Sequence, residues 1–292
     1  MLTRRDLFPL ALSSLIPASA AVPARARDLA DIHAAIAEIE AKTGGRLGVA
    51  LFDTREGTPV GYRADERFPM CSTFKVLAAA VVLARVDAGA EQLARRIPIA
   101  QADLLSYAPV TKSHLDTGMT VAELCEAAIT LSDNTAANLL LASFGGPPAL
   151  TRYAQSLGDN VTRLDRIEPD LNEATPRDIR DTTTPAAMAR TLAKLMTGDA
   201  LSPSSREMLA GWMVDCKTGA AKLRAGLAKD WRVGDKTGSG GHGSSNDVAV
   251  IWPKDRAPLV VASYLTETDD WSDDKRNAVH AEVGRIVASI FG

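Results

Sequence analysis

The strand-like segments of this 292-residue chain lie near its two ends, and the stretch between them is mainly helical. Apolar runs typical of strands occur at residues 47–52, 231–233, 247–252 and 258–266. Helical patterns cover about residues 28–42 and 272–290. This order predicts an α+β fold, with an antiparallel sheet made from the N- and C-terminal segments, flanked by helices, and an inserted all-helical lobe.

The same pattern sets the expected boundaries. We expect one domain over residues 27–292, with an α/β lobe built from 27–70 and 215–292 and a helical lobe built from 71–214. A chain of this length can bury one large core or two lobes. Because ligand sites often lie between such units, a functional site is expected at the seam.

Residues that can carry chemistry follow one another in a fixed order. Ser72 and Lys75 stand at the start of a long apolar run, and residues at i and i+3 share a helix face. A serine needs a nearby base to become a nucleophile. The later sets are Ser132-Asp133-Asn134, Glu168 with Asn172, and Lys236-Thr237-Gly238. An ester on the serine needs a second base to activate water, and Glu168 is available.

Each motif alone is weak evidence for a site, because two of the motifs occur more than once in the chain. Lys-Thr-Gly occurs at 42–44, 217–219 and 236–238, and only the third copy lies between strand-like runs. An edge strand there can offer backbone amides and an ammonium group to a substrate. Ser-x-x-Lys recurs at Ser272, where acidic neighbours indicate a helix N-cap. Context therefore favours the first Ser-x-x-Lys and the third Lys-Thr-Gly.

In this order, the motifs resemble the active site of class A serine β-lactamases. The resemblance covers roughly residues 30–290. Further matching stretches are Arg67 to Cys71, Ala127 with Ile129 to Leu131 and Asn138, Glu168 to Asn172, and Asn246 to Pro253. The resemblance implies the two-lobed β-lactamase and D,D-peptidase fold. It also implies hydrolysis of the β-lactam amide of penicillins and cephalosporins through a serine acyl-enzyme, which gives antibiotic resistance.

The resemblance implies a role for each motif residue. The implied catalytic residues are Ser72 as nucleophile, Lys75 as proton acceptor or electrostatic partner, Ser132 as proton relay and Glu168 as deacylation base. The implied substrate-binding residues are Asn134, Asn172, Lys236, Thr237, Gly238, Ser239 and Tyr107. The backbone N–H groups of Ser72 and Ser239 would form the oxyanion hole. The identity of the acylation base stays open, since it is disputed in the family.

One position departs from many relatives. The strand after the third Lys-Thr-Gly carries Ser245 where many family members have an arginine. Lys222 and Arg276 are the candidates to supply the missing charge to a substrate carboxylate. We expect Arg276 to do so, because its planar guanidinium matches a carboxylate better than a point charge does.

Two loops are expected to carry site residues. Ser132-Asp133-Asn134 interrupts an apolar helical pattern, so this motif is expected on a turn between two helices rather than inside one. Residues 163–185 contain three prolines and many charges, which is typical of a long ordered loop. Within it, the Glu168-Pro169 bond is a candidate cis peptide. Arg166 and Asp181 are expected to form an ion pair that closes the loop.

The N-terminus resembles an export signal. The twin arginine Arg4-Arg5 precedes a moderately apolar stretch, and Ala18 to Ala20 offers an A-x-A cleavage pattern. This predicts a twin-arginine-type signal over residues 1–26, cleaved near that pattern or near Ala26, and a periplasmic location.

The three cysteines, Cys71, Cys125 and Cys216, cannot all pair within one chain. Some members of the family that the chain resembles pair the cysteine before the nucleophile with one just after Lys-Thr-Gly, where this chain has Gly240. Others pair the equivalent of Cys125 with a position that is Ala79 here. We therefore expect buried free thiols and no disulfide.

Composition and motifs limit the possible partners. The net charge of −3 and the pI near 5.9 do not favour nucleic acid or an anionic membrane. No apolar run beyond the leader is long enough to span a bilayer. The four histidines are dispersed and no metal-binding motif occurs, so no metal or other cofactor is expected. We expect a monomer acting on a small-molecule β-lactam.

Two other functions remain open at this stage. A D,D-peptidase-type acyl-transferase acting on peptidoglycan shares the three motifs but does not need Glu168. A non-catalytic β-lactam sensor also forms an acyl-enzyme, but it should be tethered to a membrane signalling segment. Glu168 and the freely exported single domain favour hydrolysis.

Overall fold

The structure is a computed structural model that describes the backbone of residues 24–292 and the side chains of residues 31–292. Most of the predicted export signal, including Arg4 and Arg5, lies outside the described residues. The α-helices are α1 (Ala24–Thr43), α2 (Phe74–Asp87), α3 (Val121–Thr130), α4 (Asn134–Phe144), α5 (Gly146–Ser156), α6 (Pro185–Thr197), α7 (Pro203–Val214), α8 (Leu223–Gly226) and α9 (Asp273–Phe291). The strands are β1 (Arg46–Asp53), β2 (Pro59–Tyr62), β3 (Phe68–Pro69), β4 (Arg96–Ile97), β5 (Met119–Thr120), β6 (Thr182–Thr183), β7 (Arg232–Ser239), β8 (Ser245–Trp252) and β9 (Leu259–Thr266).

Five strands form one antiparallel sheet in the order β2-β1-β9-β8-β7. The N-terminal strand β1 pairs with the last strand, β9, so both ends of the chain build the same sheet. β8 and β9 are buried along almost their whole length, because helices cover both faces of the sheet. The predicted α+β architecture is confirmed.

The two faces of the sheet pack against different helices. Ile36 of α1 and Val283 of α9 share one buried cluster with Val261 of β9. On the opposite face, α6 packs against β1 and β9. This helix lies within the range 71–214 that was expected to form the helical lobe, so part of that range also covers the sheet.

Helix α2 forms the centre of the helical lobe. All of its residues from Phe74 to Leu83 are buried, and α3, α4, α5 and α7 pack around it. Its nearly continuous apolar sequence explains this, since a helix without a polar face can only be stable when it is covered on all sides. A short 3₁₀ turn, Cys71–Thr73, leads into α2 and contacts β7 of the sheet. The start of the buried helix therefore lies at the boundary between the two lobes.

The last helix begins where the sequence predicts. The Ser272 side chain accepts a hydrogen bond from the backbone N–H of Lys275, and Asp273 and Asp274 occupy the first turn. This second Ser-x-x-Lys is therefore a helix cap, as predicted. Among the helices of residues 24–292, none combines the length and the apolar character needed to cross a bilayer.

Candidate active site

The turn that carries Ser72 is held by the neighbouring strand β8. The Asn246 side chain donates hydrogen bonds to the carbonyls of Pro69 (2.9 Å) and Met70 (3.0 Å). Cys71 has a positive φ of 45°, which turns the chain sharply just before the helix. As a result Ser72 is itself largely buried, yet it lines a cavity between the lobes.

Glu168 lies directly beside this serine. Its Oε1 accepts a hydrogen bond from Ser72 Oγ at 3.3 Å and lies 3.0 Å from Lys75 Nζ. Its Oε2 accepts from the Asn172 side-chain amide. The Asn138 side chain holds the backbone of Glu168 from both sides, donating to its carbonyl (2.9 Å) and accepting from its N–H (2.9 Å). The serine hydroxyl, the amine and the carboxylate thus form one buried cluster.

Lys75 makes further contacts with the second motif. Its Nζ donates to the Ser132 carbonyl at 2.8 Å and to Asn134 Oδ1 at 2.6 Å, and it lies 3.3 Å from Ser132 Oγ. Burial lowers the pKa of Lys75, whereas the charge of Glu168 raises it. Burial is the larger effect, so the pKa of Lys75 lies below that of an ordinary lysine.

Ser132 and Asp133 lie on the turn between α3 and α4, as predicted, and Asn134 is the first residue of α4. Asp133 is buried and accepts hydrogen bonds from the backbone N–H groups of Val110 and Thr111 and, as the cap of α4, from that of Ala136. Sequence reasoning assigned no separate role to this aspartate. It fixes the backbone that presents the serine and the asparagine on either side of it.

The third Lys-Thr-Gly lies on the edge strand β7, as predicted. Lys236 Nζ donates to Ser132 Oγ at 3.0 Å and to the Thr237 carbonyl at 2.7 Å. The Ser132 hydroxyl therefore lies between two amines, Lys236 and Lys75. Burial, together with the positive charge of Lys75, lowers the pKa of Lys236 to about 7. The Thr237 hydroxyl pairs with that of Thr218 at 2.6 Å.

Strand β7 closely approaches the turn that carries Ser72. A Cβ atom on Gly238 would lie 2.9 Å from the Met70 carbonyl oxygen, so glycine is needed for this approach. A Cβ on Gly240 would lie 2.6 Å from Cys71 Sγ. Gly240 thus lies where a cysteine able to pair with Cys71 would stand, as expected from the resemblance to the family. Ser239, between these glycines, lines the cavity.

The cavity between the lobes has a volume of about 400 Å³. The predicted residues that line it are Ser72, Tyr107, Ser132, Asn134, Asn172, Thr237, Gly238 and Ser239. Further lining residues are Thr218, Lys222, Ser245, Asp273 and Asn277. A larger cavity, of about 730 Å³, lies behind the 163–185 loop and is lined by several arginines, but Ser72 and the lysines of the site are absent from its lining.

Arg276 and Lys222, the two candidates for binding a substrate carboxylate, differ in their surroundings. The Arg276 guanidinium donates to the Thr268 carbonyl (2.8 Å) and to Asp273 Oδ1 (3.0 Å), and Arg276 does not line the catalytic cavity. Lys222 does line it, and its Nζ donates to Ser245 Oγ at 2.6 Å. The role expected of Arg276 in binding a substrate carboxylate therefore stays a prediction, with Lys222 as the candidate that lines the cavity. Successive residues of a helix point in different directions, and on α9 it is Asp273 and Asn277 that line the cavity.

The loop that carries Glu168 is closed by the predicted ion pair. Arg166 Nε lies 2.6 Å from Asp181 Oδ2, and only 1% of the Asp181 side chain is exposed. The other carboxylate oxygen accepts from the backbone N–H groups of Asp165 and Arg166. The Glu168-Pro169 peptide is cis, as predicted.

The three cysteines are buried free thiols. Burial, reinforced by the charge of Glu168, raises the pKa of Cys71 to about 12. A thiol with such a pKa is almost entirely protonated at neutral pH, so Cys71 is no competitor of Ser72 as a nucleophile. No group of three or more His, Cys, Asp or Glu side chains able to hold a metal occurs among residues 31–292.

The chain is similar to β-lactamases along almost its whole length. The sequence model of a family described as "Beta-lactamase enzyme family" matches residues 31–291. Beta-lactamase L2 of Stenotrophomonas maltophilia is 50% identical over 286 residues, covering 97% of this chain and 94% of that protein. Beta-lactamase CTX-M-8 of Citrobacter amalonaticus is 48% identical over 278 residues, covering 95% and 94%.

Solved structures agree with this similarity. An ancestral class A β-lactamase, the last common ancestor of Gram-negative bacteria, is 64% identical and superposes with a TM-score of 0.87, covering 89% of this chain and 100% of that one. The putative class A β-lactamase PenP from Rhodopseudomonas palustris is 57% identical with a TM-score of 0.88 and the same two coverages.

Proposed function

The chain belongs to the class A β-lactamases, which hydrolyse the β-lactam amide through a serine, and from this premise we propose that Ser72 is its nucleophile and Glu168 its water-activating base. The observation that carries this proposal is the position of the buried Glu168 carboxylate. It lies within hydrogen-bond distance of the Ser72 hydroxyl, of the Lys75 amine and of the Asn172 amide.

In acylation, Ser72 Oγ attacks the lactam carbonyl carbon as its proton passes to Glu168 or Lys75. The backbone N–H groups of Ser72 and Ser239 stabilise the oxyanion that forms, and each such donor typically contributes ~10²–10³ in rate. The C–N bond then breaks and the nitrogen takes the proton of Ser132 Oγ. This hydroxyl lies 3.3 Å from Lys75 Nζ and 3.0 Å from Lys236 Nζ, so either amine can replace the proton.

In deacylation, Glu168 takes a proton from a water molecule, and the resulting hydroxide attacks the ester carbonyl. The ester C–O bond breaks, Ser72 regains a proton and the opened product leaves. Asn172 lies against the other carboxylate oxygen and helps to place the water. A D,D-peptidase-type transferase has no need of a buried carboxylate at this position, and this favours hydrolysis for the present site.

For substrate binding, we propose that Lys236, Thr237 and Lys222 receive the carboxylate of the β-lactam. Asn134 would bind its acyl-amide side chain, and Tyr107, which lines the cavity and is 48% exposed, would form an aromatic wall. All three carboxylate-binding residues project from the sheet side of the seam, opposite the Ser132 turn.

Turnover of a chromogenic cephalosporin by the purified protein tests the proposal. We expect many cleaved molecules per protein molecule, and a Ser72→Ala variant of unchanged fold should show almost none. A single stoichiometric burst without further turnover would instead support the sensor function. Release of D-alanine from a peptidoglycan peptide, at a rate above that of cephalosporin cleavage, would support the peptidase function.

Location and assembly are proposed on sequence grounds. We propose export to the periplasm by the twin-arginine route, supported by the Arg4-Arg5 leader, and a monomer in solution. Replacing both arginines by lysine should leave the activity in the cytoplasmic fraction. An unchanged periplasmic activity would contradict this route, and a dimer mass in light scattering would contradict the monomer.

A further inference from the structure

We propose that the Ser245 hydroxyl donates a hydrogen bond to the carboxylate of the substrate, and that His280 is the positioning residue that holds it ready to do so. The inference rests on the proposed function, in which Lys222 and its neighbours on the sheet receive that carboxylate. It concerns the position at which many relatives carry an arginine and this chain a serine.

The histidine ring is buried between β8, β9 and α9. Its Nε2 lies 3.1 Å from the Ser245 carbonyl oxygen, and its Nδ1 lies 2.9 Å from Ser263 Oγ. Because a carbonyl can only accept, Nε2 must carry the hydrogen. In the neutral ring Nδ1 is then an acceptor, and the Ser263 hydroxyl donates to it. The contacts thus select one tautomer of His280.

The environment also keeps this ring neutral. Burial lowers the pKa of His280 well below its usual value, and the positive charge of Lys222 lowers it further. Protonation would put a second cation beside Lys222 inside the protein. His280 therefore presents one fixed donor to the start of β8 across the neutral pH range.

The Ser245 hydroxyl has two neighbours that can only donate to it. Lys222 Nζ donates to it at 2.6 Å, and the one Nε2 hydrogen of His280, which donates to the Ser245 carbonyl, is shared with the hydroxyl oxygen at 3.2 Å. A serine hydroxyl has two acceptor positions and one hydrogen. Because neither the ammonium nor the protonated Nε2 can accept, the hydrogen must point to another acceptor.

The remaining hydrogen points to the catalytic cavity. Ser245 lines that cavity, and among residues 31–292 no protein acceptor is hydrogen-bonded to its hydroxyl hydrogen. An ionised carboxylate is an acceptor-only group, so it fits a site made of the Ser245 hydroxyl and the Lys222 amine. Lys222 is in turn held by the Asn246 carbonyl at 3.2 Å.

A matched pair of substrates tests the inference. The readout is the ratio of kcat/KM for a cephalosporin with a free carboxylate to kcat/KM for its methyl ester, which lacks the charge. Ser245→Ala should lower this ratio about tenfold, the order expected for loss of one hydrogen bond to a charged group. His280→Leu should lower it comparably. His280→Gln, whose amide can replace the Nε2 donor, should recover most of the ratio.

Other variants separate this role from a purely structural one. Ser263→Ala removes the donor to Nδ1 and should lower the ratio less than His280→Leu does. The Ser263→Ala variant also tests the role of His280 if the leucine variant does not fold. Ser289→Ala, exposed on α9, should keep the wild-type ratio. An unchanged ratio in Ser245→Ala, or a glutamine variant no better than leucine, would overturn the inference.

Failure of the proposed function would look different. If Lys222→Ala leaves the ratio unchanged, the proposed carboxylate site itself is wrong. If Lys222→Ala lowers the ratio and Ser245→Ala does not, the carboxylate site stands and the assignment of Ser245 falls.

Discussion

Replacing Glu168 by alanine is expected to separate the two half-reactions. The carboxylate raises the pKa of Lys75, while burial lowers it. When Glu168 is removed, its raising effect on the pKa of Lys75 is lost, so the amine is more readily neutral and can take the proton of Ser72. Acylation should therefore continue in the variant.

Deacylation has no such replacement. Lys75 Nζ is occupied by the Ser132 carbonyl and by Asn134 Oδ1, at 2.8 and 2.6 Å, whereas the Asn172 amide lies against the Glu168 carboxylate. Loss of a general base costs ~10²–10⁴ in rate. A thousandfold loss corresponds to about 4 kcal/mol in the activation free energy. At that cost the acyl-enzyme becomes the main species during turnover.

Mass spectrometry of the variant mixed with a penicillin provides the assay. One penicilloyl adduct should appear on Ser72 and persist long after the wild type has cleared the drug. Glu168→Gln keeps the size of the side chain but removes its basic carboxylate, so this variant should accumulate the same adduct. Asp170→Ala, an exposed acid in the same loop, should turn over nearly normally. Near-normal steady-state turnover in Glu168→Ala would refute the reasoning.

Four other results are expected. Lys222→Ala should reduce kcat/KM for a cephalosporin more than Arg276→Ala does, since only the lysine lines the cavity; steady-state kinetics showing the reverse would contradict the placement. Asp181→Ala should lower the free energy of unfolding by about 3 kcal/mol, because it leaves the Arg166 charge without its buried partner; a denaturant titration showing no change would argue against this. As pH rises through about 7, the ammonium of Lys236 deprotonates, so kcat/KM for carboxylate-bearing substrates should fall more than for their esters; parallel profiles would contradict this. Thiol titration of the denatured, non-reduced protein should find three free thiols, and a count of one would reveal a disulfide.

The sequence predicted most of the fold and the candidate site residues that the structure brings together, because both have local signals. Apolar runs marked the strands at each end, and a helix without a polar face, α2, had to be buried. The choice among three Lys-Thr-Gly copies succeeded because only one lay between strands. The sequence around Asp133 predicted that this residue lies on a turn. Only the structure shows that its side chain caps α4.

The direction of the Arg276 side chain could not be predicted from the sequence. The chemistry of this side chain suits a carboxylate, but a binding role also needs the right direction, and one residue along a helix rotates the side chain by roughly 100°. The neighbouring Asn277 faces the cavity instead. The network of His280 with Ser245 could not be foreseen either, because it joins α9 to β8 across 35 positions of sequence without a motif.

The position of Ser132 explains why the two lobes must keep a fixed position relative to each other. Its hydroxyl lies between Lys75, on the helical lobe, and Lys236, on the sheet, so a shift of either lobe by an ångström would break one of the two contacts. The close approach at Gly238 and the Asn246 bonds to the nucleophile turn hold β7 and β8 against that turn. A side chain at Gly238 would push the edge strand away and would disturb the proton relay as well as substrate binding. At this seam the sheet thus positions groups of the helical lobe that the proposed mechanism uses.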